Sequence, residues 1–190
     1  MNRRFEIIVL VGSLRRESVT RKVARALIAV AQPSLALREL DLGPLPMYNE
    51  DLEAGPPEPW AQLRRDVKAC DGVLFVTPEY NRSVPAVLKN AIDVASRPGG
   101  SGVWSGKPGA VVSVTPFGLG AFGANHHLRQ ALVYVNVLTM AQPEAYVSRA
   151  KELFDPSGTL VNEASRKFFT RFMAAFADWV ATQVPSAPPS

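Results

Sequence analysis

The stretch FEIIVLVGSLRRESVT, residues 5–20, carries the first decision about this chain. Phe5 to Val11 is a near-continuous apolar run rich in β-branched residues, the pattern of a strand covered on both faces. Gly12 then permits a tight turn. Ser13, Ser18 and Thr20 bring three hydroxyls, and Arg15 and Arg16 two guanidinium groups, to the start of a helical pattern. A helix that opens there points free N–H groups and the positive end of its dipole at the loop, so the stretch reads as an anion cradle. It reads equally well as a capped turn, with Ser18 or Thr20 as the cap and the arginines in water.

The same alternation of strand and helix continues along the chain. Val23, Ala26, Leu27 and Val30 recur at helical spacing, with Arg21, Lys22 and Arg25 on the other side and Pro33 as a stop. LALRELDL is a weaker strand, followed by the proline-rich loop GPLPMYNEDLEAGPPEP, whose length suggests a functional role. Trp60, Leu63, Val67 and Cys70 mark a second helix. DGVLFVTPEYN is a buried strand that stops at Pro78, and SVPAVLKNAIDVAS a helix with Pro85 in its first turn. KPGAVVSVT is another buried strand, a helix is expected from about 125 to 135, and a short strand near 137–140. The last helix carries Phe168, Phe169, Phe172, Met173, Phe176, Trp179 and Val180, a stripe for core packing or a subunit contact. The tail PSAPPS, 185–190, is expected to be disordered.

Alternating elements with continuous apolar strands imply a parallel sheet with helices on both faces. Ligands of such sheets lie beyond the carboxyl ends of the strands. The unusual loops of this chain follow the strands ending near Val11, Thr77 and Thr115, so all three converge on one sheet edge.

Composition removes several function classes. At 190 residues the chain matches one domain and can bury a core without staples. A single cysteine, Cys70, rules out an intramolecular disulfide and suits a reducing cytoplasm. The two histidines, His126 and His127, are adjacent, poor spacing for a zinc site, and no metal is expected. No apolar run reaches the roughly 18 residues of a membrane span. The net charge of +4 comes without a long basic tract or base-stacking motif, so no nucleic-acid partner is expected. A basic surface suits small anionic ligands.

Two further stretches carry chemistry. TPEYNRSVP places Pro78, Glu79, Tyr80 and Asn81 where a ligand ring would lie, although a helix-start turn capped by Asn81 or Ser83 needs the same residues. GLGAFG matches the dinucleotide fingerprint literally, through Gly118, Gly120 and Gly123, with Glu144 downstream. That fingerprint belongs in the first strand–helix turn of its unit, where this chain has the hydroxyl-rich design instead. A glycine-rich loop at this place also serves close backbone approach to a flat ligand.

With these loops in hand, the chain resembles the NAD(P)H-dependent FMN reductase family, which includes the flavodoxin-like quinone and chromate reductases. The resemblance runs through GSLRRESVTRKVA, TPEYNRSVPAVLKNAID, GANHHLRQAL and QPEAY, over most of residues 5–147. It implies a flavodoxin-like three-layer α/β sandwich with a five-stranded parallel sheet, residues 1–184 forming one FMN-binding domain. It implies FMN as cofactor, with its phosphate on Ser13, Arg15 and Ser18, and with Thr20 where the family often has asparagine. Pro78, Glu79, Tyr80 and Asn81 correspond to the segment along the flavin ring, mainly through backbone groups. Ser113, Pro116, Phe117 and Gly118 correspond to the other side of the ring pocket. Relatives use an arginine and a tyrosine before HLRQ in subunit contacts; Gly123 and His126 stand at those positions here.

The implied activity is oxidation of NADPH or NADH, with electrons passed through FMN to a small-molecule acceptor such as a quinone, free flavin, azo compound or chromate. The flavin carries the chemistry, and no side chain is nominated as catalytic. Two other readings stay open: a flavodoxin-type electron carrier, and a Rossmann-type dehydrogenase using GLGAFG. Broad apolar faces on the helices at 84–95 and 128–135 suggest a homodimer or homotetramer.

Overall fold

The computed structural model describes residues 3–184. The tail at 185–190 lies outside the described residues. Strand β1 (Phe5–Val11) has the expected covered character, and its side chains divide by parity between two cores. Ile7, Val9 and Val11 face one layer, while Ile8 and Leu10 face the other. That split is the period-two geometry of a strand acting on a sequence that is apolar throughout.

The sheet is parallel, in the order β2 (Leu35–Leu40), β1, β3 (Gly72–Pro78), β4 (Pro108–Val114), then a fifth position. One face is covered by α1 (Val19–Ala29) and α5 (Glu163–Gln183). The other is covered by α2 (Glu58–Ala69), α3 (Ala86–Ala95) and α4 (Phe122–Tyr134). This is the expected three-layer, flavodoxin-like arrangement, with the reversal of strand order at β1/β3. The aromatic stripe of α5 is core: Phe169, Phe172, Met173 and Phe176 are buried against the sheet, and the Trp179 indole donates to the Leu138 carbonyl at 2.7 Å.

Several boundaries differ from expectation: β2 ends at Leu40, and Pro85 is the N-cap of α3 and not part of its first turn. Helix α1 stops at Ala29, well before Pro33. Helix α4 starts at Phe122 rather than near 125, because an acceptor far away in sequence holds its first turn. The fifth strand position is split: β5 (Leu138–Thr139) pairs with β4 at 108–109, and β6 (Ala145–Val147) pairs with it at 112–114. Residues 140–144, which include a cis Gln142–Pro143 bond, bulge out between them. QPEAY therefore supplies a strand that its short length and its proline hide.

Close approach fixes two glycines in the sheet. A Cβ on Gly109 would lie 2.7 Å from Val137, and one on Gly12 would meet Pro78 at 3.1 Å. Gly12 lets the end of β1 sit close beside the end of β3, where its N–H donates to the Val76 carbonyl at 2.9 Å.

Candidate functional site

All three singled-out loops emerge at the carboxyl ends of β1, β3 and β4, as the alternation of elements requires. The long loop after β2 joins them. It is pinned to α2 and α3, where Trp60 and Asn90 both donate to the Pro46 carbonyl at 2.9 Å and Tyr48 stacks on Trp60.

In the first loop, Ser13, Ser18 and Thr20 are buried and Arg15 and Arg16 exposed. Ser18 is the N-cap of α1, its Oγ accepting from the Arg21 N–H at 3.2 Å. No acidic residue lies in the first turn of that helix. Its other early N–H groups have no acceptor inside the helix, so the end keeps its affinity for an anion.

The second loop is a tight turn. Tyr80 and Ser83 exchange backbone hydrogen bonds at 3.1 and 3.0 Å, and the central residues Asn81 and Arg82 both lie at positive φ, 52° and 64°. Asparagine tolerates that conformation and arginine does so reluctantly. Glu79 holds the turn in place. One carboxylate oxygen accepts from the Arg82 guanidinium at 2.9 Å, and the other from the Ala124 N–H at 3.1 Å. Glu79 is therefore the cap of α4, whose own N-cap, Ala121, has no side-chain acceptor.

The third loop runs through Leu119, Gly120 and Ala121, all at positive φ. Two polar arrangements support it from behind. Ser113, fully buried, donates from Oγ to the Gly120 carbonyl at 2.6 Å and accepts from Asn125 Nδ2 at 3.1 Å. Asn125 Oδ1 accepts from Arg129 Nε at 2.9 Å, and Arg129 also donates to the Met140 carbonyl at 3.0 Å. Ser113 thus shapes the loop from inside the protein. Asn125 and Arg129 perform the same service and were not singled out in the sequence, since a helical asparagine and arginine read as surface.

Beside this loop, Tyr146 donates its single phenolic proton to Glu144 at 2.8 Å, which makes His126 Nε2, 3.0 Å away, the donor to the same oxygen. Burial, reinforced by the Glu144 carboxylate, pushes the Tyr146 hydroxyl up to about 12. Its folded-state value lies above the ordinary 10, so its contribution to stability is complete below pH 10 and is lost as pH rises through about 12. Unfolding measurements on wild type and Tyr146→Phe should show the stability difference narrowing over that interval.

Between the second and third loops lies a groove of about 390 Å³, walled by Glu79, Asn81 and Arg82 on one side and by Thr115, Phe117, Gly118 and Leu119 on the other. Its rim is open and mixed: Phe117 is 76% and Leu119 72% exposed on one side, the exposed Arg82 guanidinium lies on the other, and Tyr80 stands half exposed. Pro78, Glu79, Tyr80, Asn81, Pro116, Phe117 and Gly118 lie on the two loops that flank this groove. Gly12, packed on Pro78, joins the first loop to them. Among the described residues no cluster of metal-binding side chains occurs, and no helix is long and apolar enough to cross a membrane.

The GLGAFG glycines have a different explanation from a dinucleotide. A Cβ on Gly120 would lie 2.4 Å from Tyr146 Cβ, and one on Gly123 would lie 2.7 Å from the Arg82 carbonyl oxygen. Both make room for the protein's own chain. A pyrophosphate at the start of α4 would also meet the Glu79 carboxylate already bound there. Of the two helix ends that follow candidate phosphate loops, that of α4 is hydrogen-bonded to a carboxylate, whereas the first turn of α1 contains no acidic residue.

Residues 5–152 match the family model described as NADPH-dependent FMN reductase. The chain is 55% identical to a quinone reductase of Pseudomonas putida over 181 residues, 95% of this chain and 97% of that protein. It is 42% identical to a 2-hydroxy-1,4-benzoquinone reductase of a Burkholderia species, over 92% of this chain and 96% of that one. Among solved structures, the flavoenzyme NAD(P)H:(acceptor) oxidoreductase FerB from Paracoccus denitrificans superimposes with a TM-score of 0.89 at 40% identity, covering 94% of this chain and 98% of its own.

Proposed function

The chain belongs to the NADPH-dependent FMN reductase family, and from that premise we propose that it is an FMN-dependent oxidoreductase that takes electrons from NADPH or NADH and reduces a quinone. Bound FMN supplies hydride acceptance and delivery, so the protein's task is to hold it, orient it and leave one face open. In this reading Ser13, Ser18, Thr20 and the N–H groups opening α1 hold the phosphate, with Arg15 adding charge from the rim. The backbone of Pro78–Asn81 lies along the ring, facing the turn at Pro116–Gly118. The tied Glu79 carboxylate keeps the second loop in register with α4 and is not assigned a proton-transfer role.

The observation that carries this reading is the contrast between the two helix ends. The start of α1 follows a hydroxyl-lined loop and has no acid in its first turn, whereas the start of α4 is bonded to Glu79. One anion site beside one open groove suits a flat ring carrying a single phosphate better than a dinucleotide. The exposed side chains of Phe117 and Leu119 supply apolar surface against which a flat acceptor such as a quinone can stack.

The wider assignment treats residues 1–184 as one FMN-binding unit working in the cytoplasm, where the lone buried Cys70 stays reduced. We assign it a homodimer or homotetramer built on the groove of about 730 Å³ between α3 and α4, lined by Val84, Ile92, Ala131 and Tyr134 among others. Tyr134 is 91% exposed there, a large apolar ring for a second copy to cover.

The experiment is to titrate the purified protein with FMN and follow NAD(P)H oxidation with a benzoquinone. Saturable FMN binding with quinone-dependent turnover is expected, and a protein that neither binds FMN nor oxidises NAD(P)H overturns the reading. Ser18→Ala should weaken FMN binding about tenfold and lower stability by about 1 kcal/mol, since it removes both a phosphate ligand and a helix cap. A dehydrogenase built on GLGAFG would show unchanged cofactor binding in that variant.

A further inference from the structure

We propose that Arg21 is the positioning residue of the phosphate cradle, acting on FMN through the backbone of the first loop; this rests on the assignment of that loop to the phosphate. Arg21 stands among Arg21, Lys22 and Arg25, which read in the sequence as a solvated helix face. Its guanidinium is instead committed on three sides. Nη2 donates to the Ser13 carbonyl at 3.1 Å, Nη1 to the Arg15 carbonyl at 3.3 Å, and Nε to Glu39 Oε1 at 2.7 Å. Its backbone N–H is the one that Ser18 caps. One residue therefore touches the loop at Ser13, Arg15 and Ser18, the three positions read as phosphate ligands, and ties them to β2 through Glu39.

Peptide geometry turns this into a function. In a trans peptide the carbonyl and the following N–H point in opposite directions. Drawing the Ser13 and Arg15 carbonyls onto the guanidinium aims the N–H groups of Leu14 and Arg16 away from it, the arrangement from which backbone anion nests are made. The loop is then set before the ligand arrives, so binding need not order it. Lysine keeps the charge at this position but cannot hold two carbonyls and a carboxylate in one planar fork. Geometry and charge are thus separable by a single substitution.

The test compares FMN with riboflavin, which shares the ring and lacks the phosphate, by fluorescence titration of the flavin-free protein. Wild type should bind FMN more tightly than riboflavin. Arg21→Lys should lose about tenfold or more in FMN affinity while riboflavin affinity stays within about twofold. If Arg21→Lys keeps the wild-type preference, or weakens both flavins equally, the assignment of Arg21 is overturned and the cradle reading stands. If wild type shows no preference, the cradle reading falls and takes the Arg21 assignment with it. Should Arg21→Lys fail to fold, Glu39→Gln carries the same measurement. It loosens the fork while leaving the arginine in place, and the FMN-to-riboflavin preference should fall about threefold; an unchanged preference overturns the proposal.

Discussion

Gly120→Ala is expected to destabilise the protein by about 4 kcal/mol, the sum of a left-handed alanine and a contact the surroundings cannot relieve. Gly120 lies at φ 55°, and an added Cβ would sit 2.4 Å from Tyr146 Cβ and 2.9 Å from the backbone of the same residue. Neither neighbour is the free end of a side chain. Tyr146 lies in β6, paired to β4 at Ser113, so relief requires the edge of the sheet to move. The groove wall at Leu119 would move with it, and FMN retention should fall together with stability. Gly118→Ala is the control. That residue has φ −72° and nothing within 4 Å of an added Cβ, so its stability should change by less than about 0.5 kcal/mol. Denaturant unfolding of the two variants checks both values. A dinucleotide fingerprint would make the first glycine of the motif indispensable for cofactor binding, so the pair also separates the two explanations of GLGAFG.

Asn125→Ala should be nearly as damaging, with an expected loss of about 3 kcal/mol, because three partners each lose one hydrogen bond and a void opens in a fully buried site. Asn125 is fully buried and bonds Ser113 Oγ, the Ala145 carbonyl at 3.4 Å and Arg129 Nε. Alanine leaves Arg129 Nε without its acceptor, with only the Met140 carbonyl holding the guanidinium, and leaves Ser113 as the sole polar support of the Gly120 carbonyl. Ser113→Ala removes one member of the same chain and should cost about 1–2 kcal/mol. The double variant should lose less than the sum of the two, since each substitution already undoes part of the shared network. Strict additivity in a double-mutant cycle would show that the two side chains act separately.

These two variants probe a part of the site that sequence reading located but could not explain. The glycine-rich stretch at 118–123 is identifiable as a loop at the sheet edge, yet two of its three glycines, Gly120 and Gly123, answer to Tyr146 and Arg82, well removed along the chain. Glu79 follows the end of β3, and the partner that fixes it, the Ala124 N–H, lies 45 residues on, beyond the reach of local sequence reading. The three consecutive residues at positive φ, two of them not glycine, are strain held in place by that surrounding network.

What the sequence determined by itself is the layered parallel sheet and the edge at which its three unusual loops converge. Apolar strands such as FEIIVLV and GVLFV, alternating with amphipathic helices, admit only a covered parallel sheet, and the loops after alternate elements must then share one end. That inference needs only local periodicity and chain connectivity. The tertiary structure decided which turn residues are bound up in the protein's own contacts. Ser18 is a cap at a helix end left open to an anion, Ser113 is an internal strut, Glu79 closes the other helix end, and Arg21 sets the first loop from behind. The physical reason is range. Periodicity is written in neighbours three or four residues apart, whereas a hydrogen bond or a steric contact is made by whatever the fold brings within about 3 Å.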